Sequence, residues 1–168
     1  MKKLFITILI LSSSVFAFWS KSGVKPVDNE LYLNECGSCH FAFQPGLLPE
    51  RSWVKMMKGL EDHFGSDATL DQIDHNAILK YLEDNSAEKA REYKRSKRML
   101  DSISKSSTPL EITKVRYFVR EHNEIPSRFI KQKEVGTLSN CTACHTTASK
   151  GLYDEDDIYI PNVGKWDD

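Results

Sequence analysis

Cys36-Gly37-Ser38-Cys39-His40 and, about a hundred residues later, Cys141-Thr142-Ala143-Cys144-His145 are two copies of one pattern, C-x-x-C-H. It is the attachment signature of c-type haem. Two thiols at i and i+3 on one turn of helix face the same way and can form thioethers to two vinyl groups, while the next histidine reaches the iron. C-x-x-C by itself also suits a redox dithiol or half a zinc site. Here both copies carry the trailing histidine, the two use all four cysteines of the chain, and their separation does not fit a zinc ribbon or finger. A thioredoxin-like reading also lacks the expected alternation of strands and helices. Two covalently bound haems are therefore expected, with His40 and His145 as proximal iron ligands.

Five histidines occur in all, so three remain for the two sixth positions. His63 follows Leu60 by three residues at the edge of a face formed by Trp53, Met56 and Leu60. His122 lies at i+7 from Val115 and i+4 from Phe118, on an apolar stripe. His75 sits at the margin of its helix, away from the Leu70, Ile73 and Ala77 stripe. His63 and His122 are thus the expected distal ligands, and His75 is left out. Met56, Met57 and Met99 compete for the role, but methionine on an apolar helix face is more often packing filler. Two low-spin bis-histidine haems imply low rather than high reduction potentials.

The surrounding sequence is helical in pattern. Pro49 or Glu50 opens a helix with Trp53, Met56, Met57, Leu60 and Phe64 on one face and Gly65 as its stop. A second helix, from about Leu70 to Leu82, puts Leu70, Ile73, Ala77 and Tyr81 together, with Ile78 and Leu82 widening the surface. From Ser86 to about Ser104 the residues are strongly charged, which predicts a solvated bridging helix or, alternatively, a basic docking surface. Residues 18 to about 30 read as an exposed lead-in, and Ile158-Tyr159-Ile160-Pro161 as an extended tail. Ser106-Ser107-Thr108-Pro109 marks a boundary between lobes. The predicted fold is mainly α with little or no β-sheet: two small helical lobes, 18–105 and 106–168, each packed around one haem. Lobes of this size need a staple, which the haem supplies.

Lys2 and Lys3 precede an apolar run from Leu4 to Leu11, and Val15-Phe16-Ala17 offers small residues at cleavage positions. Residues 1–17 read as a signal peptide, and the expected location is periplasmic; an uncleaved anchor is the alternative. Composition is that of an ordinary globular protein, 40% hydrophobic and 28% charged, and a net charge of −1 argues against generic nucleic-acid binding.

The order of features resembles the dihaem cytochrome c family of small bacterial periplasmic electron carriers. The likeness runs through Cys36 to His40 followed by Phe41-Ala42-Phe43-Gln44-Pro45-Gly46, Leu60-Glu61-Asp62-His63-Phe64-Gly65, Phe118-Val119-Arg120-Glu121-His122, Ser139-Asn140-Cys141 to His145, and Ile158 to Pro161. It implies a two-lobed helical fold, bis-histidine ligation and outer-sphere electron transport rather than catalysis. It also implies redox partner proteins, with a monohaem high-spin cytochrome c and a membrane b-type cytochrome as candidates, and no small-molecule substrate. The competing readings are a peroxidase-like dihaem enzyme or a haem-based sensor, either of which needs one open iron position.

Overall fold

In a computed structural model that describes residues 21–166, the chain is mainly helical. The expected signal peptide lies outside the described residues. The helices are α1 (Glu30–Gly37), α2 (Glu50–Met57), α3 (Gln72–Asp84), α4 (Lys94–Asp101), α5 (Arg116–His122) and the single-turn α6 (Ser127–Ile130). Several 3₁₀ turns join them. The sheet content among the described residues is one small antiparallel pair, β1 (Tyr159–Ile160) and β2 (Gly164–Lys165). No helix among them is long and apolar enough to cross a membrane.

Local chemistry sets the helix starts. The Asn29 side chain accepts from the Tyr32 amide at 2.8 Å to cap α1, and Asp71 accepts from the amides of Ile73 and Asp74 to cap α3. α2 begins after Pro49, where no side chain of the cap residue can serve. The Glu88 carboxylate fills that role from elsewhere, accepting the Glu50 amide at 2.9 Å.

α2 and α3 pair along Trp53, Met57, Ile78 and Leu82, all nearly fully buried. The Trp53 indole N–H donates to the Pro45 carbonyl at 2.8 Å, which satisfies the polar end of a ring that otherwise fills the core. The buried cluster continues from these residues through Leu48 and Met99 to Ile112, Val115, Tyr117 and Phe118. Apolar packing therefore runs without a break from the first haem-motif half into the second.

Five local expectations change. The helix opened at Glu50 ends at Met57, and Phe64 does not share its face: it has φ of 54° and is 61% exposed. Gly65 is accordingly a turn residue rather than a helix stop. On α3 the buried side is Ile78 and Leu82, whereas Ile73 is 81% exposed, because α2 approaches from the Ile78 side. The charged stretch is helical only over α4, and α4 is no solvated bridge: Ser96 and Met99 are buried. The basic side chains of the stretch are largely engaged, with Lys97 and Arg91 on Asp101 and Arg95 and Arg98 on the Tyr117 hydroxyl. Residues 21–29 are not an exposed lead-in throughout, since Val24 is 1% exposed and its amide donates to the Gly151 carbonyl at 2.8 Å. Finally, the extended tail is a hairpin whose Ile160 is fully buried.

Gly23 and Gly151 cross at this contact. A Cβ on Gly23 would lie 2.1 Å from the Gly151 carbonyl oxygen, and one on Gly151 would lie 2.2 Å from the Val24 oxygen. Both have positive φ, 71° and 72°. Glycine is required twice over at each, for backbone conformation and for space.

Candidate haem sites

The first C-x-x-C-H segment begins in the last turn of α1, which carries Cys36 and ends at Gly37; Cys39 and His40 follow in the turn beyond. The second lies on a 3₁₀ turn, Cys141–Ala143, with Cys144 and His145 just after it. Neither motif is a full helical turn. His145 is fixed instead by the C-terminal hairpin, where the Tyr159 amide donates to the Cys144 carbonyl at 3.0 Å and His145 bridges Ile158.

His63 is delivered by a tight turn. Its amide donates to the Ser66 carbonyl at 2.8 Å and its carbonyl accepts the Ser66 amide at 3.2 Å, while Phe64 and Gly65 both take positive φ between them. Positive φ at both central residues is the geometry of a type I′ turn. The Asp62 carboxylate accepts the Gly65 amide at 2.9 Å and steadies it. His122 ends α5, and its Nδ1 donates to the Phe118 carbonyl one turn earlier, at 2.8 Å.

The four histidines singled out from the sequence come together in two pairs. The rings of His40 and His63 are 6.0 Å apart between centres and inclined by 21°. Those of His122 and His145 are 6.1 Å apart and inclined by 71°. Imidazole nitrogens bound on opposite sides of one metal ion at about 2 Å each put the ring centres about 6 Å apart. Both pairs have the separation that one iron between them requires. In His40 and His122, Nδ1 faces a backbone carbonyl, of Phe41 and Phe118, which fixes that nitrogen as the proton carrier and leaves Nε2 as the lone-pair donor. His75 is placed differently: its Nε2 meets the Met57 carbonyl at 2.9 Å. Of the competing methionines, Met57 and Met99 are buried in the core.

Electrostatics fits the same use. Burial, with the His122 and Arg95 charges behind it, pushes the His145 imidazole down to about 4. Burial and the facing His40 ring likewise lower His63. Histidines held neutral are in the form that binds a metal. Burial pushes the Cys36 and Cys141 thiols up to about 11, and all four cysteines are free of disulfide bonds.

The His122 and His145 pair adjoins one cavity, and His40 adjoins another. That of His122 and His145 measures about 320 Å³ and is walled by Met99, Ile112, Phe118, Ile130, Leu138 and Ile158, with Cys141 and Cys144 in its lining. The one beside His40 measures about 360 Å³ and is lined by Val27, Leu33, Phe41 and Ala42, together with Ser149 from the second half. Leu47, Arg95 and Met99 of the first half line the second cavity in return. Sequence reasoning missed these cross-half contributions, because nothing local in Ser149 or Arg95 signals them. At the second place the paired imidazoles, the dithiol and apolar walls fit haem together; at the first, the paired imidazoles and the adjacent Cys36 and Cys39 fit it.

Two such sites on a small helical scaffold define a dihaem cytochrome. Residues 32–153 match the dihaem cytochrome c family, and the chain belongs to it. Among solved structures it is similar to a dihaem cytochrome c from Rhodobacter sphaeroides, at 37% identity over 77% of this chain and 100% of that one, with a TM-score of 0.69. It is also similar to the dihaem cytochrome c of Shewanella baltica OS155, at 37% identity over 83% of this chain and 98% of that one, with a TM-score of 0.68. A search of curated protein sequences gave no match. The family resemblance and the helical fold expected from the sequence are thus borne out.

Proposed function

We propose that this chain is a periplasmic electron carrier with two covalently attached, low-spin, bis-histidine haems. Cys36 and Cys39 hold one haem by thioethers, with His40 as proximal and His63 as distal ligand. Cys141 and Cys144 hold the other, between His145 and His122. Each bound haem supplies a one-electron couple at its iron. The two imidazole pairs, 6.0 and 6.1 Å between ring centres, carry the reading.

The role of the protein follows from that geometry. Histidines on both sides leave no position for a substrate, so His63 and His122 act as closures that favour outer-sphere transfer over catalysis. Backbone carbonyls on His40 and His122 hold those rings in place, which keeps rearrangement small when the charge at the site changes. The apolar walls of the second cavity exclude water for the same end. No side chain is called on for acid–base work. Redox proteins are the partners, met through a small, transient interface; a monohaem high-spin cytochrome c and a membrane b-type cytochrome are the candidates that the family resemblance suggests.

The test is the mature protein from a host competent in cytochrome c maturation, analysed by mass spectrometry and by optical and electron paramagnetic resonance (EPR) spectra. Two haem masses on the polypeptide, and low-spin spectra unchanged by carbon monoxide, are expected. A colourless product, a single haem, or a high-spin iron that binds carbon monoxide overturns the proposal, the last in favour of an enzyme or a sensor.

A further inference from the structure

The two sites differ in their charge surroundings. Arg95 lines the second cavity, and its guanidinium is held by two uncharged oxygens: the Tyr117 hydroxyl at 3.0 Å and the Tyr153 carbonyl. No carboxylate pairs with it among the described residues. Tyr153, whose carbonyl it reaches, meets the His145 ring edge-on at 5.3 Å. The other charged residues lining this cavity are Arg120, Glu121, Glu124 and Glu155. Arg120 pairs with Glu121 at 2.9 Å, and Glu124 and Glu155 are exposed to solvent. Solvent screens those exposed groups far more than it screens the partly buried Arg95.

The first site has the opposite character. The pocket beside His40, which takes in neither His63 nor the two cysteines, is lined by no Lys, Arg, Asp or Glu. Glu35 adjoins Cys36, and Glu61 and Asp62 precede His63, all exposed. Cys39 and His40 are themselves exposed, whereas Cys141, Cys144 and His145 are half-buried. An iron site carries one more positive charge when oxidised, so a nearby cation and a drier environment both favour the reduced state.

We propose that Arg95 places the potential of the haem between His122 and His145 above that of the haem between His40 and His63, so that an electron entering the protein comes to rest at the second site. The inference rests on the bis-histidine reading above. The transfer is a single electron from the reduced first site to the oxidised second, with no proton moved and no bond made or broken. A unit charge about 10 Å away at an effective dielectric of about 20 shifts such an equilibrium by roughly tenfold, about 59 mV for a one-electron couple.

An EPR-monitored redox titration of the full holoprotein tests this. Near-perpendicular imidazoles give a more anisotropic low-spin signal than near-parallel ones, so the 71° and 21° pairs report separately. His63→Ala and His122→Ala confirm the assignment, since each removes one low-spin signal. The expected result is that the anisotropic signal titrates at the higher potential in the native protein. Arg95→Gln should lower that potential by about tenfold in the redox equilibrium, leave the other signal within twofold, and keep both low-spin. Arg95→Lys should restore most of the difference. An inverted order in the native protein overturns the inference even if Arg95→Gln proves unstable. So does an equal fall at both haems, or no change at the second, with the ligation intact. A high-spin iron in the native protein instead overturns the bis-histidine reading itself.

Discussion

Gln44 and Tyr153, 109 residues apart in sequence, are joined side chain to side chain: the Tyr153 hydroxyl donates to Gln44 Oε1 at 2.7 Å. Gln44 is fully buried, and its Nε2 donates to the Ala148 carbonyl at 2.6 Å. The pair lies between the two sites, since Gln44 follows the first haem motif closely and the Tyr153 ring meets His145 edge-on at 5.3 Å. Replacing Gln44 with Leu strands both the tyrosine hydroxyl and the carbonyl in the interior, at a cost of about 1–3 kcal/mol per unsatisfied group. Denaturant unfolding followed by haem absorbance should show one midpoint, lowered for both sites together. A fall confined to one haem would mean that the halves do not share this contact energetically.

The distal histidines should separate by site. His63→Ala and His122→Ala should each convert half of the haem to a high-spin form that binds carbon monoxide, read by optical titration. His75→Ala should leave the spectrum unchanged, because His75 is engaged with the Met57 carbonyl. A high-spin signal from the His75 variant would require reassigning the ligands.

Gly23→Ala and Gly151→Ala should each be severely destabilising, well beyond about 1 kcal/mol for positive φ alone. Each new Cβ would meet backbone oxygen, which no rotamer change can clear. Gly65→Ala and Gly136→Ala are the controls, since both have positive φ but nothing within 4 Å. Thermal melts of the four holoproteins should rank the first two well below the second two.

Arg51 fastens the exposed connection near residue 105. Its Nε donates to the Ser107 carbonyl at 2.7 Å, and a terminal nitrogen donates to that of Ser104 at 3.0 Å. Arg51→Ala should cost only about 1 kcal/mol. It should, however, speed proteolytic cleavage between Ser104 and Thr108 several-fold, as measured by limited digestion and fragment mass. Equal cleavage of both proteins would show that the clamp does not restrain the loop.

The sequence alone was enough for the cofactor class and the ligand candidates. The attachment signature needs only five consecutive residues, so Cys36 to His40 and Cys141 to His145 can be recognised as candidates without a fold. His122 was legible because an α-helix repeats, and Val115 and Phe118 set its face. Helix ends and faces were less so. Ile73 and Ile78 are chemically alike, and only the approach of α2 decides that one is exposed and the other buried. His63 shows both sides: its candidacy came from the sequence, but its position comes from a type I′ turn that Phe64 does not advertise, since a non-glycine residue rarely takes positive φ.

What only the tertiary structure decided is how the two halves meet. Arg95 looked like one cation in a solvated run, yet Tyr117 and Tyr153 draw it to the second cavity; Ser149 and Leu47 likewise serve the site of the opposite half. Covalent and helical constraints act over a few residues and can be read locally. Burial, by contrast, depends on which distant surface arrives, and that is settled only when the whole chain has packed.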